Sequence, residues 1–117
     1  MLNQNVTVGR IVNNPVLLEN NENEKYTTIT IAVQRTYKNQ NGEYDVDFID
    51  VQLTKMIAEN TSQYCKKGDV FGIKGRLETR KVKPDEKIDT ITELIAEKVT
   101  FLSSGKGEDD ENTSTSL

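Results

Sequence analysis

The chain has 117 residues, the size of one ordinary domain, and carries a formal net charge of −4. It contains no His, which removes the commonest general base and the commonest metal ligand, and its single Cys excludes Cys-rich zinc sites. The composition therefore favours binding over catalysis, and we expect a protein that is not an enzyme and has no cofactor or metal.

The sequence carries no sign of a membrane or secreted protein. No apolar run approaches the ~18 residues of a membrane span, and the N-terminal MLNQNVTVGR lacks a basic region followed by an apolar one. The lone Cys65 has no partner for an internal disulfide, so a buried free thiol is its plainest interpretation. We expect a cytoplasmic protein without a membrane partner.

The first half of the chain has the patterns of three strands. Residues 2–12 change their alternation at Gly9, which indicates a bulge or sharp bend. Residues 26–35 alternate apolar and polar side chains most clearly, and residues 46–53 form the third run. The dipeptide Asn41-Gly42 between the second and third runs predicts a hairpin turn.

The second half begins with a change of period. Apolar positions in residues 54–68 recur at helical spacing, with Thr54 suited to the N-cap and Gly68 to the residue after the helix. Residues 69–80 return to strand alternation. Residues 88–102 fit a helix by spacing, but their many β-branched residues favour a strand, so local pattern leaves this element open.

Five strands with one short helix between the third and the fourth are the order of an OB-fold barrel. Closing such a barrel requires sharp bends, for which Gly9, Gly72 and Gly75 are suited. We predict a mainly β OB-fold domain over residues 1–103. Residues 104–117 are acidic and contain one hydrophobic residue, which predicts a short disordered tail.

The cations are concentrated in one stretch. Residues 66–83 contain seven Lys or Arg and two acidic residues within an acidic chain. Alternate strand residues share a face, so three cations form a row and three apolar residues opposite them face the core: Lys74, Arg76 and Arg80 against Phe71, Ile73 and Leu77. Such a row suits the phosphates of a single nucleic acid strand, and Tyr37, Tyr44 and Phe48 are candidate platforms for its bases.

Each of these features also has a plainer interpretation. A charged strand face is usually a solvated face, and Phe48 equally suits the core. The alternating acidic residues Glu43, Asp45, Asp47 and Asp50 are of the type that binds Mg²⁺, although a solvated or cation-paired face explains them better.

Several segments resemble, in order, the bacterial and phage single-stranded DNA-binding protein (SSB) family. MLNQNVTVGRIVNNPVL resembles its N-terminal strand, and ITIAVQRTYKNQNGEYDVDFIDV its second and third strands with the hairpin between them. AENTSQYCKKGDVFGIKGRLETR resembles its helix, the following Lys-Gly turn and its fourth strand. The resemblance covers roughly residues 1–102.

This resemblance implies an OB-fold that binds single-stranded DNA without sequence preference, coats it during replication or recombination, and self-associates as a dimer or tetramer. It favours a strand for residues 88–102. It assigns the family's stacking aromatics to Tyr37 and Phe48. It assigns the basic contacts to Arg10, Arg35, Lys74, Arg76 and Arg80, and Lys81 of the same basic stretch completes the predicted DNA-binding set.

The chain departs from the family pattern in two respects. It has no Trp, and Thr54 and Val82 stand where many relatives have an aromatic residue, so affinity should rest more on charge. The tail keeps the acidic residues but lacks the family's hydrophobic Pro-Phe tip. Replication or recombination proteins are candidate partners of this tail, although the absent tip argues against the usual mechanism. A short chain with an abbreviated tail suits a phage or mobile-element protein.

Two functions from different classes follow. The first is a coat for single-stranded DNA. The second is an OB-fold accessory module that acts mainly through protein–protein contacts in a replication or recombination complex. Saturation of long single strands distinguishes them.

Overall fold

A computed structural model describes residues 1–104 and 115–116 of the chain. In these ranges the elements are β1 (Asn5–Ile11), β2 (Leu18–Glu19), β3 (Lys25–Lys38), β4 (Tyr44–Thr54), α1 (Lys55–Tyr64), β5 (Val70–Val82), a 3₁₀ turn (Pro84–Glu86), β6 (Asp89–Ser103) and β7 (Thr115–Ser116). The five long strands, with α1 between the third and the fourth of them, have the predicted order. The element that local pattern left open is a strand, as the resemblance implied.

The long strands close into a barrel. Antiparallel pairing joins β1 to β5 and to β3, β3 to β4, and β5 to β6. Two parallel pairs, Val51–Leu94 and Gln52–Ile95, join β4 to β6 and complete the circuit β1-β5-β6-β4-β3. This is the OB-fold predicted from the sequence. Within the described ranges, no helix is long and apolar enough to cross a membrane.

Inward-pointing residues of the five strands form the core. The largest fully buried apolar side chains are Ile11, Ile29, Ile31, Val51, Leu53, Phe71, Ile73 and Val99. Ala58 and Thr61 of α1 are buried as well. Leu77 differs from the prediction that it faces the core, since it is 44% exposed. The pairing of β5 with β1 ends at Gly75, so Leu77 lies where β5 pairs with β6 alone.

Two of the three glycines for which the sequence predicts bends leave no room for a side chain. A Cβ on Gly9 would lie 2.7 Å from a carbonyl oxygen of β3, and one on Gly75 would collide with the carbonyl oxygen of Ile95. At Gly72 a Cβ would meet nothing nearer than 3.7 Å, so a side chain fits there, and the bend at Gly72 stays a prediction. Of the bulge or sharp bend predicted at Gly9, the bulge is absent from the described structure, because β1 pairs with β5 in unbroken register. A register shift occurs instead beside Gly75, where Glu97 is the extra residue of β6.

Helix α1 is shorter than predicted at its C-terminal end. Thr54 takes the extended N-cap conformation, as predicted, but its side chain makes no capping hydrogen bond. Cys65 caps the C-terminus by donating its N–H to the carbonyl oxygen of Thr61 at 3.0 Å. Gly68 therefore belongs to a separate turn, has a φ of 98°, and donates its N–H to the carbonyl oxygen of Ile11 at 2.9 Å.

The tail predicted for residues 104–117 lies mostly outside the described residues. Within it, Thr115 and Ser116 form β7 and pair with Phe101 and Thr100 of β6, which the sequence did not predict. The division of the chain into a domain of residues 1–103 and a tail stays a prediction.

Candidate nucleic-acid interface

An open groove lies between the β3–β4 and β5–β6 hairpins. Strands β4 and β6 pair over two residues each, and the parts of both strands that precede this pairing leave a gap. The resulting groove has a volume of about 520 Å³. Its lining includes Phe48, Asp50 and Gln52 of β4, Leu77 and Arg80 of β5, and Glu93 of β6.

Phe48 is the aromatic side chain of this groove. It is 67% exposed, because it lies on the outward face of β4 while Val51 and Leu53 on the other face are buried. A core role for Phe48 is therefore wrong. An exposed ring in an open groove is a surface on which a nucleobase can stack.

Tyr37 lies on an irregular part of β3. The register of β3 against β4 shifts between Gln34 and Lys38, so the segment with Arg35 and Tyr37 bulges from the hairpin. The Tyr37 side chain is 61% exposed. The Arg35 guanidinium carbon lies 5.9 Å from its ring centroid, and Arg35 Nη1 donates to Tyr37 Oη at 3.3 Å.

Arg35 is also held by carboxylates. Its Nε and Nη2 donate to the two carboxylate oxygens of Asp47 at 3.0 and 2.9 Å, and Asp45 lies 3.9 Å from Nη1. The hydrogen bond from Arg35 holds the pKa of Asp47 below its ordinary value, and the same bond raises the pKa of Arg35. These acidic residues thus form a cation-paired face, and no group of three potential metal ligands occurs among the described residues.

The arginines of the basic row are likewise paired. Arg76 bonds Glu78 at 2.6 Å and Glu97 at 3.2 Å, while Arg80 Nε donates to Glu93 Oε1 at 2.7 Å. The bond to Glu78, followed by the bond to Glu97, raises the pKa of Arg76. Two of these three acids come from β6, whose register against β5 places them beside the row.

Lys74 is in a different electrostatic environment. Its cross-strand neighbour is Lys98, and within residues 1–104 neither lysine forms an ion pair. Both are exposed, Lys98 because the extra residue Glu97 shifts the alternation of β6. Two like charges directly opposite each other repel, so this end of the row attracts anions.

The structure brings two of the eight predicted DNA-binding residues into the groove, Phe48 and Arg80. Arg35 and Tyr37 contact each other on the β3 bulge. Lys74, Arg76 and Lys81 lie elsewhere along β5, and Arg10 donates to the carbonyl oxygen of Gly68 at 2.6 Å. The DNA-contacting role of all eight stays a prediction.

Sequence reasoning missed the groove residues Asp50, Leu77 and Glu93 as site residues. Asp50 was assigned only to an acidic face, and Leu77 to the core. Glu93 is brought to Arg80 by the antiparallel register of β5 and β6, in which Glu93 pairs with Glu78. Local pattern left residues 88–102 open between helix and strand, and this hid the register that brings Glu93 to Arg80. The assignment of these residues to a strand was the one available signal for the contact.

The comparisons with known proteins agree with this architecture. The model of the Single-strand binding protein family matches residues 2–102. Single-stranded DNA-binding protein B of Bacillus subtilis is 36% identical over 103 residues, which cover 87% of this chain and 91% of that protein. Single-stranded DNA-binding protein 2 of Listeria monocytogenes is 41% identical over 103 residues, covering 87% of this chain and 64% of that protein.

A solved structure described as "Plasmodium falciparum SSB complex with ssDNA" has a TM-score of 0.73 and 24% sequence identity, and the match covers 82% of this chain and 87% of that one. This match shows that the two proteins share a fold. The barrel thus defines an OB-fold protein with an open groove beside it. The family match over residues 2–102 then identifies the chain as a member of the single-strand binding protein family, which confirms the resemblance found in the sequence.

Proposed function

We propose that this chain binds single-stranded DNA without sequence preference and coats and protects exposed strands during replication or recombination. The observation that carries the proposal is the exposed Phe48 ring beside Arg80 in an open groove. Stacking on an aromatic ring contributes about 1–3 kcal/mol per base and tolerates any sequence, because every base has a π-face. The relatives' names as single-stranded DNA-binding proteins support the same reading.

Binding in this proposal combines two kinds of contact. Phe48 and Tyr37 provide stacking surfaces, and the cations of the predicted set contact phosphates. Arg35, Arg76 and Arg80 exchange part of their bonding to carboxylates for bonding to phosphate oxygens. No covalent bond is made or broken, so the protein acts as a binding protein and not as an enzyme.

A titration tests this function. Fluorescently labelled oligo-dT, oligo-dA and a duplex of the same length are titrated with the full chain, and oligo-dT of increasing length follows. We expect saturable binding of both single strands, weaker binding of the duplex, and a stoichiometry that grows with strand length. A protein-bound accessory module would instead show weak binding of all three probes, with no growth of stoichiometry, and that result would overturn the proposal.

We further propose that a second copy of the chain covers the outer face of β1. Val6 and Val8 are 75% and 52% exposed, and their cross-strand neighbours on β5 are Lys74 and Gly72. The two valines share one face of β1, and contiguous exposed apolar side chains mark protein–protein contacts. Self-association as a dimer or tetramer accounts for it.

Light scattering coupled to size exclusion tests the self-association. Val8→Lys should lower the molar mass towards that of one chain, since a buried unpaired charge disrupts an apolar contact. Val16→Lys is the matched control, because Val16 is 63% exposed in the connection between β1 and β2. An unchanged mass in Val8→Lys, or an equal loss in both variants, contradicts a contact through β1.

The acidic tail is the remaining element of the proposed function. Candidate replication or recombination partners of this tail, a cytoplasmic location and a phage origin stay predictions from the sequence. Residues 105–114, which hold its acidic run, lie outside the described residues.

A further inference from the structure

Two carboxylates lie in the groove that holds the stacking ring. Asp50 and Glu93 both line it together with Phe48. The Glu93 side chain is 16% exposed while that of its partner Arg80 is 59% exposed, so the acid is fixed in the groove wall and the cation reaches towards solvent. Asp50 is exposed and accepts a hydrogen bond from Thr30 Oγ1 at 2.7 Å.

A groove of this composition interacts differently with the phosphates and with the bases of a nucleic acid. Phosphates are repelled by the two carboxylates, whereas an unpaired base carries no net charge and can stack on Phe48. The groove thus favours a strand that turns its bases inwards and keeps its phosphates at the rim.

We propose that Asp50 and Glu93 are specificity determinants that favour single-stranded DNA over duplex DNA; the proposal rests on the function proposed above. A duplex has its bases stacked and paired, so it approaches the groove with phosphates, at about one charge per 1.7 Å of helix axis. Duplex affinity therefore depends on free cations, and Glu93 neutralises Arg80, the cation among the described residues that line the groove. A single strand turns its bases into the groove and keeps its phosphates at the rim, so it depends less on this charge and retains stacking.

The two acids act by separable routes. Glu93 forms an ion pair with Arg80, so Glu93→Gln releases a cation. Asp50 forms no ion pair within residues 1–104, so Asp50→Asn removes a repulsive charge without releasing a cation. A single charge in a solvent-accessible groove changes binding modestly, and we expect about a threefold gain in duplex affinity from each variant at low salt.

The experiment compares the full chain with Glu93→Gln, Asp50→Asn and the double variant. Glu22→Gln is the matched control, since it removes one negative charge from the turn between β2 and β3, and within residues 1–104 its side chain has no ion pair. The probes are oligo-dT and a duplex of equal length, each at several salt concentrations. Thermal melting of each variant verifies folding.

We expect the ratio of oligo-dT affinity to duplex affinity to fall in both groove variants and most in the double variant. Glu93→Gln should also steepen the salt dependence of duplex binding by up to about 0.9 in log–log slope, as one more cation contacts phosphate. If the unaltered chain binds oligo-dT but both groove variants have the same affinity ratio as Glu22→Gln, this proposal is wrong and the proposed function stands. If the unaltered chain does not bind oligo-dT, the proposed function fails and this inference fails with it. If Glu93→Gln does not fold, Asp50→Asn on its exposed site still decides the outcome.

Discussion

The guanidinium of Arg35 lies against the ring of Tyr37, with its central carbon 5.9 Å from the ring centroid, while Asp47 holds the same guanidinium through two hydrogen bonds. A cation stacked on an aromatic face is attracted by the ring quadrupole. The contact restricts the ring while leaving it 61% exposed. A platform that is already oriented loses less conformational entropy when a base stacks on it.

Tyr37→Leu should therefore weaken single-strand binding by about 1 kcal/mol, roughly fivefold, because it keeps apolar bulk and removes most of the stacking. The fold should survive, since the side chain is exposed. Tyr64→Leu is the matched control: Tyr64 is 67% exposed and lies on α1, away from the β3–β4 hairpin. Equilibrium titration with oligo-dT measures both. Equal affinities of the two variants would mean that Tyr37 is not a stacking residue.

The sequence predicted the barrel because alternation is strong where a strand has one buried face. Ile29 and Ile31 are fully buried as their spacing indicates, and so are Phe71 and Ile73. The prediction failed for Leu77, whose alternation is the same but whose strand segment pairs with one neighbour only.

The candidate site was less predictable, because it depends on contacts between strands that are distant in the chain. The sequence indicated an aromatic at Phe48 and a cation at Arg80, but their shared groove depends on where the pairing of β4 and β6 ends. Two of the three acids that pair with Arg76 and Arg80 come from β6, whose register against β5 a local pattern does not reveal. The two arginines of the basic row are thus ion-paired in the fold, whereas Lys74 has no ion pair within residues 1–104.

Gly75→Ala should strongly destabilise the protein. Its Cβ would collide with backbone atoms of Ile95 and Ala96 at the register shift between β5 and β6, and backbone has little room to move there. We expect a loss of about 3 kcal/mol in the free energy of unfolding, the upper part of the usual range for overpacking. Gly72→Ala on the same strand should change it by less than about 0.5 kcal/mol, because its Cβ meets only ordinary contacts. Urea denaturation of both variants measures the difference, and a similar stability for the two would refute the role of Gly75.

Cys65 should react slowly in the folded protein. It is 8% exposed, and burial, with a smaller effect of Asp69, raises the pKa of its thiol from an ordinary 9.0 to about 12. At pH 8 a thiol reagent should label it only after urea unfolds the chain. Rapid labelling without urea would contradict this burial.

The same shift gives a pH dependence of stability. Because the pKa is higher in the folded than in the unfolded state, the stabilisation is fully present below about pH 9 and is lost as the pH rises towards 12. Lys and Tyr also titrate in this range, so Cys65→Ala is the control. Between pH 8 and 10.5 the free energy of unfolding should fall more steeply in the unaltered chain than in Cys65→Ala, and parallel profiles would exclude a contribution from the thiol.

The salt dependence of binding should distinguish the free and the paired cations of β5. For single strands the log–log slope changes by about 0.7 for each phosphate that a cation neutralises. Lys74 has no ion pair within residues 1–104, so Lys74→Ala should flatten the slope by that full amount if the lysine contacts DNA. Arg80 is already bonded to Glu93 at 2.7 Å, so Arg80→Ala should flatten it by less.

The double variant Arg76→Ala with Arg80→Ala extends the comparison. Two unpaired cations would change the slope by about 1.4 when removed. Arg76 is bonded to the carboxylates of Glu78 and Glu97. A phosphate that binds the arginines therefore replaces carboxylates of the protein in addition to releasing salt ions. We expect a change well below 1.4, together with an affinity loss of similar size for oligo-dT and oligo-dA. Titration of each variant at four or more salt concentrations measures the slope. A change of the full 1.4 would show that the ion pairs open completely on binding, and no change would show that the arginines form a solvated face.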